Sequence, residues 1–85
     1  MGTRTAEEAR RACRRAQRKV DRAVASPGRA TEAAAALRGA AQVADGAPAP
    51  YPHWATLARA RAAQWDVVAE RWPQFAGGWA NRADQ

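Results

Sequence analysis

The stretch Thr5-Ala6-Glu7-Glu8-Ala9-Arg10-Arg11-Ala12-Cys13-Arg14-Arg15-Ala16-Gln17-Arg18-Lys19-Val20-Asp21-Arg22-Ala23-Val24-Ala25 decides the fold. Thr5 followed three positions later by Glu8 is the capping-box pattern that opens a helix. Glu7 and Glu8 also place negative charge in the first turn, where the helix dipole favours it. Ala6, Ala9, Cys13, Ala16, Val20 and Ala23 then recur at alternating spacings of three and four. That spacing predicts a helix over 5–25 with a heptad seam of small residues, which lets a partner helix approach closely. Every other face of the helix is charged or polar.

Reading outward, Ser26-Pro27-Gly28 ends this helix and starts the next, with Ser26 as cap and Pro27 at the first helical position. The second helix is predicted over 27–44, with Ala30, Ala33, Ala34, Leu37, Ala41 and Ala44 on its core face. Gly39 lies on the opposite face beside Ala35 and reads as an exposed glycine. Residues 45–52 carry three prolines at alternate positions, Pro48, Pro50 and Pro52, and read as a stiff extended linker. A third helix over 52–72 carries Trp54, Ala58, Arg61, Trp65, Val68 and Trp72 at heptad spacing, widened by Leu57. Pro73 is expected to stop it. A short fourth turn carrying Phe75, a break at Gly77-Gly78 and a frayed tail at 80–85 would follow. The expected fold is all-α: a single domain, 1–85, built as a three-helix bundle in which an antiparallel hairpin is crossed by a Trp-striped third helix.

Composition makes that core thin. The 85 residues suffice for one domain. They include two Leu (Leu37, Leu57), five Val (Val20, Val24, Val43, Val67, Val68) and no Ile, so alanine carries most of the apolar surface. Burying one Trp removes roughly 150–250 Å² from water. Trp54 and Trp65 are therefore expected to supply core bulk, and the small seam suggests dimerisation. The net charge is +6, and residues 1–25, with eight basic and three acidic groups, hold +5 of it. Thirteen Arg against one Lys fits a GC-rich genome, which accounts for the choice of Arg over Lys but not for its clustering. No apolar run approaches the ~20 residues of a membrane span, and no apolar signal segment opens the chain. The expected location is cytoplasmic.

Few residues suit catalysis. His53 is the sole histidine and reads as a surface or capping residue. Asp66 and Glu70 share a helix face and read as solvated carboxylates moderated by Arg59 and Arg71. Cys13, the one cysteine, excludes an internal disulfide and reads as an inert small hydrophobe in the seam. No phosphate-cradling loop or nucleophile motif is present, so no enzyme, cofactor, metal or small-molecule substrate is inferred.

The first helix carries the strongest signal. Arg10–Arg14, Arg11–Arg15, Arg14–Arg18, Arg15–Lys19 and Arg18–Arg22 are like-charge pairs four residues apart. Each costs about 0.2–0.5 kcal/mol of helix stability. An external anion would neutralise them, and arginine suits bidentate contact with phosphate or carboxylate. Arg10, Arg11, Arg14, Arg15, Arg18, Lys19 and Arg22 are thus the candidate anion-binding set, with nucleic acid, a nucleoprotein or an acidic protein surface as partner. A helix-turn-helix reading fails on the helix after Ser26-Pro27-Gly28, which offers only Arg29, Glu32, Arg38 and Gln42 for base contact. The alternative is a protein–protein adaptor or inhibitor of the kind mobile elements encode, anchored by Trp72, Phe75 and Trp79.

Overall fold

A computed structural model of the protein describes the backbone of residues 4–84 and the side chains of residues 4–72. Helix α1 spans Ala6–Ala25 and opens on the expected capping box. The Glu8 amide donates to the Thr5 hydroxyl at 3.1 Å, and the Thr5 amide donates back to the Glu8 carboxylate at 3.3 Å. Pro27–Arg29 form one 3-10 turn before α2, Ala30–Asp45. The second helix is thus divided at its start. The Ser26 hydroxyl does not cap it; the Ser26 carbonyl instead accepts from the Arg29 amide at 2.9 Å.

Three helices pack as an all-α bundle with α2 at its centre. The contact faces are almost entirely alanine. Ala9, Ala12, Ala16 and Ala23 of α1 are buried, as are Ala30, Ala33, Ala34, Leu37, Ala40, Ala41 and Ala44 of α2 and Ala55, Ala58 and Ala62 of the third helix. Alanine-lined contacts sit at the short end of the roughly 8–10 Å range of helix spacings. Among the described residues, Leu37 is the only large side chain that is fully buried. The seam of α1 is shifted from its expected register: Ala12 is buried, Cys13 and Val20 are half-buried, and Ala6 is exposed. The straight α-helix drifts relative to a 3.5-residue repeat, and α1 contacts one neighbour far more closely than the other.

The tryptophans depart from expectation for the same reason. Trp54 and Trp65 are half-buried and pack against the alanine core from its edge. Helices that approach on alanine leave no room for an indole between them. The rings go instead to the wider side, where α1 and the third helix scarcely touch.

The connection after α2 is tighter than an extended linker. Gly46 and Ala47 close α2 with bonds to the Val43 and Ala44 carbonyls, and the Tyr51 amide donates to Pro48 at 3.1 Å, making a turn. Ala49–Pro50 is a cis peptide within it. Gly46 lies close to Arg4: a Cβ there would stand 3.0 Å from Arg4 Cγ, and its carbonyl accepts from the Arg4 amide at 2.9 Å.

Helix α3 spans Tyr51–Asp84 and does not end at Trp72. It replaces the expected stop at Pro73, the short fourth turn, the Gly77-Gly78 break and the frayed tail at 80–84. Pro73 removes one donor and costs about 3 kcal/mol in a helix interior. A helix already nucleated and packed against α2 continues without a second nucleation penalty, which local propensity does not register. Among the described residues, no helix is long and apolar enough to cross a membrane.

Two forked ion pairs lock α2 to α3. Arg38 reaches both Asp66 oxygens, one at 3.1 Å, and Arg59 reaches both Asp45 oxygens, one at 3.1 Å. Asp66 is therefore moderated by Arg38 across the interface and not by Arg59 on its own helix. The guanidinium hydrogen bonds hold both carboxyls below their ordinary range. Groups with a lowered folded pKa stabilise the fold above the unfolded value, about pH 4, and lose that contribution as pH falls through the folded value. The melting midpoint followed by circular dichroism should hold from pH 7 to 5 and drop below about pH 4. Asp45→Asn with Asp66→Asn should flatten that acid limb, and an unchanged limb would assign it to other carboxylates.

Gly39 is exposed mid-helix, and a Cβ built there meets nothing within 4 Å. Gly39→Ala should therefore raise stability by about 0.5–1 kcal/mol, the full helix-propensity difference. A neutral or negative effect in a chemical melt would mean that something packs on this position.

Candidate functional site

The buried alanines of α1 leave the opposite half of the helix to solvent. At 3.6 residues per turn, Arg10, Arg11, Arg14, Arg15, Arg18, Lys19 and Arg22 spread over about half the circumference. All seven are exposed. They form a broad convex surface, which suits backbone contact better than reading of individual bases.

The distribution of carboxylates sharpens the set. Glu8 pairs with Arg4 at 3.1 Å, Glu7 with Arg11 at 2.6 Å, and Glu32 with Arg29 at 3.8 Å; Asp66 and Asp45 hold Arg38 and Arg59. Asp21, between Lys19 and Arg22, accepts from the Gln17 amide at 2.9 Å. Among the described residues, Arg10, Arg14, Arg15, Arg18, Lys19 and Arg22 have no carboxylate within ion-pair distance. Arg11 alone of the expected set is already paired. The Arg4 hydrogen bond, followed by that of the Thr5 amide, also holds Glu8 below its ordinary range.

Two grooves flank α1. On the α2 side, an open groove of about 460 Å³ runs between Ala12, Arg15, Ala16 and Lys19 and the small residues Ala35, Ala36 and Gly39. On the α3 side, Arg10, Cys13, Arg14 and Gln17 face Pro50, Tyr51 and Trp54 across about 390 Å³. Farther along the same side, Val20 faces Arg61, Gln64, Trp65 and Val68. Tyr51 and Trp54 thus stand beside the basic helix, a proximity that their separation of about 40 positions in sequence conceals. By sequence pattern Tyr51 belongs to the 45–52 linker, with no sign of this proximity.

The remaining candidates fall elsewhere. Cys13 is half-buried in the groove, and burial pushes its thiol pKa up, the opposite of an activated nucleophile. His53 is exposed at the start of α3, with its amide donating to Pro50 at 3.1 Å. Trp72 is half-buried against the 3-10 turn, where a Cβ on Gly28 would come within 3.1 Å of its indole nitrogen. The side chains of Phe75 and Trp79 lie outside the described residues. Among the described residues, no three His, Cys, Asp or Glu side chains gather as a metal site. No protein-family model matches the chain, and comparison with curated proteins and with solved structures returns no significant match.

Proposed function

We propose that this is a non-enzymatic nucleic-acid-binding protein that docks the outer face of α1 on a phosphate backbone. The observation that carries this reading is the set of six exposed cations, Arg10, Arg14, Arg15, Arg18, Lys19 and Arg22, without acidic partners among the described residues. Among the described residues, five carboxylates engage other arginines and none engages these. The like-charge pairs along α1 disfavour its own helix, and phosphates would relieve them. The helix is packed through its buried alanines, so the cations stand on backbone that is already helical.

Fluorescence anisotropy with labelled DNA and RNA at about 50 mM salt tests this directly. Saturable binding that weakens as salt rises is expected. Absence of binding to both at that salt would end the proposal.

A second reading is supported by the length of α3. It continues past Trp72, which stands level with the hairpin end at Gly28, to Asp84. Twelve further helical residues extend about 18 Å, and their sequence includes Phe75 and Trp79. A protein partner anchored there would be lost with Trp79→Ala while the melting curve of the bundle stays unchanged.

A further inference from the structure

The groove between α1 and α3 combines two chemistries that the convex face of α1 lacks. Tyr51 and Trp54 rest partly against the alanine core, so their positions are set by packing, and each also lines the groove. Opposite them stand the guanidinium-bearing Arg10 and Arg14, both exposed and without ion-pair partners among the described residues, and the amide of Gln17. Cys13, half-buried, contributes an apolar wall. The space, about 390 Å³, lies within the roughly 300–1,000 Å³ range of small-ligand sites.

The positive potential here comes from side chains. At the start of α3, Pro52 has no amide hydrogen, and the Tyr51, His53 and Trp54 amides already donate to Pro48 and Pro50. An anion would therefore be held by Arg10 and Arg14. A planar ring beside it would lie on Tyr51 or Trp54, since aromatic faces stack bases without regard to sequence. One phosphate and one adjacent base match this pairing. An acidic peptide would use the arginines but leave the two rings without a counterpart. A base held in a duplex is stacked and paired, so only an unpaired base can enter.

We propose that this groove binds an unpaired nucleotide, its base stacked on Tyr51 and Trp54 and its phosphate on Arg10 and Arg14. The nucleic acid bound by α1 is then single-stranded or carries an unpaired segment. This rests on the nucleic-acid reading above and specifies which form is bound.

The test compares three ligands by anisotropy at about 50 mM salt: a single-stranded oligonucleotide, its duplex, and an abasic strand of equal length. Stacking of one base is worth about 1–3 kcal/mol, so the oligonucleotide should bind roughly 5–150-fold tighter than the abasic strand. It should also outcompete the duplex. Trp54→Leu, which keeps apolar volume against the core, and Tyr51→Ala should each reduce the preference over the abasic strand. Affinity for the abasic strand itself should stay unchanged in variants shown to be folded by circular dichroism. Equal binding of oligonucleotide and abasic strand by the wild-type protein overturns the groove proposal and leaves the phosphate-docking reading standing. So does a preference for the duplex. Failure to bind any of the three removes both. A glutamate-rich peptide that displaces the oligonucleotide and binds as tightly would overturn both in favour of a protein partner.

Discussion

Replacing Arg10, Arg14, Arg15, Arg18, Lys19 and Arg22 by glutamine should abolish nucleic-acid binding while raising the melting midpoint. The two effects share one cause. Every like-charge pair along α1 contains at least one of these residues, so their removal relieves the helix and deprives phosphates of their partners. Glutamine keeps nearly the same helix propensity, so the fold is not disturbed by the exchange. In the wild-type protein, three to six phosphate contacts would give a slope of log K against log salt of about −2.1 to −4.2 on a single strand and about −2.7 to −5.4 on a duplex. Affinity should then fall roughly 20-fold to 300-fold on a single strand, and roughly 40-fold to 2,000-fold on a duplex, between 50 and 200 mM salt. Each single replacement should reduce the slope by about one. A variant that binds as the wild type does, or a wild-type slope near zero, would show that these cations do not meet phosphate. A variant that loses binding and also melts earlier would show that the charges stabilise the fold through contacts with their own chain.

The second large effect concerns the core. Leu37→Ala should destabilise the protein by about 2–5 kcal/mol, through lost burial and the cavity left behind. Among the described residues Leu37 is the only large fully buried side chain, and the surrounding alanines have no bulk with which to fill the space. Single domains are stable by only about 5–15 kcal/mol, and for a chain of this size 1 kcal/mol moves the midpoint by roughly 4–8 °C. A drop of roughly 8–40 °C is therefore expected. The opposite change in volume should also be harmful. Ala41 is completely buried in the alanine cluster, and Ala41→Leu should force α2 away from its neighbours at a cost of about 1–3 kcal/mol. Chemical melts of both variants measure the two effects. Tolerance of Ala41→Leu would mean that the helices are not in close contact at that position.

These two expectations meet at the tryptophans. If the bundle is held by alanine contacts, the indoles are free to occupy the side where α1 and α3 stand apart, and there they border the basic helix. Aromatic surface at the edge of a cationic face follows from the close packing on the other two sides. The core and the candidate interface are therefore coupled: widening the α2 contacts would also change the groove that Tyr51 and Trp54 line.

Much of this was legible in residues read one at a time. The capping box at Thr5 and Glu8, the alanine face of α2 and the unbalanced charge of α1 are local properties, set by spacings of three and four and by neighbouring charges. They establish three helices, an alanine core and a cationic surface without reference to contacts between distant residues. What lay beyond them depended on distance in space. Whether Trp54 is core or edge depends on how near α2 comes to α3, which the Trp54 neighbourhood does not encode. Asp66 pairs with Arg38 and not with Arg59 because α2 and α3 lie side by side. Pro73 does not end α3: the helix that reaches it is already nucleated, so continuing carries no second nucleation cost. Arg10 and Tyr51 became neighbours only when α2 reversed the chain and the Pro48–Tyr51 turn brought α3 back alongside α1. The sequence by itself determined the presence of three helices and the charge, which depend on residues within one or two turns of each other, but not where α3 ends. Tertiary structure alone decided the aromatic groove, because it is made from elements whose contact is set by chain reversal and by the small size of alanine.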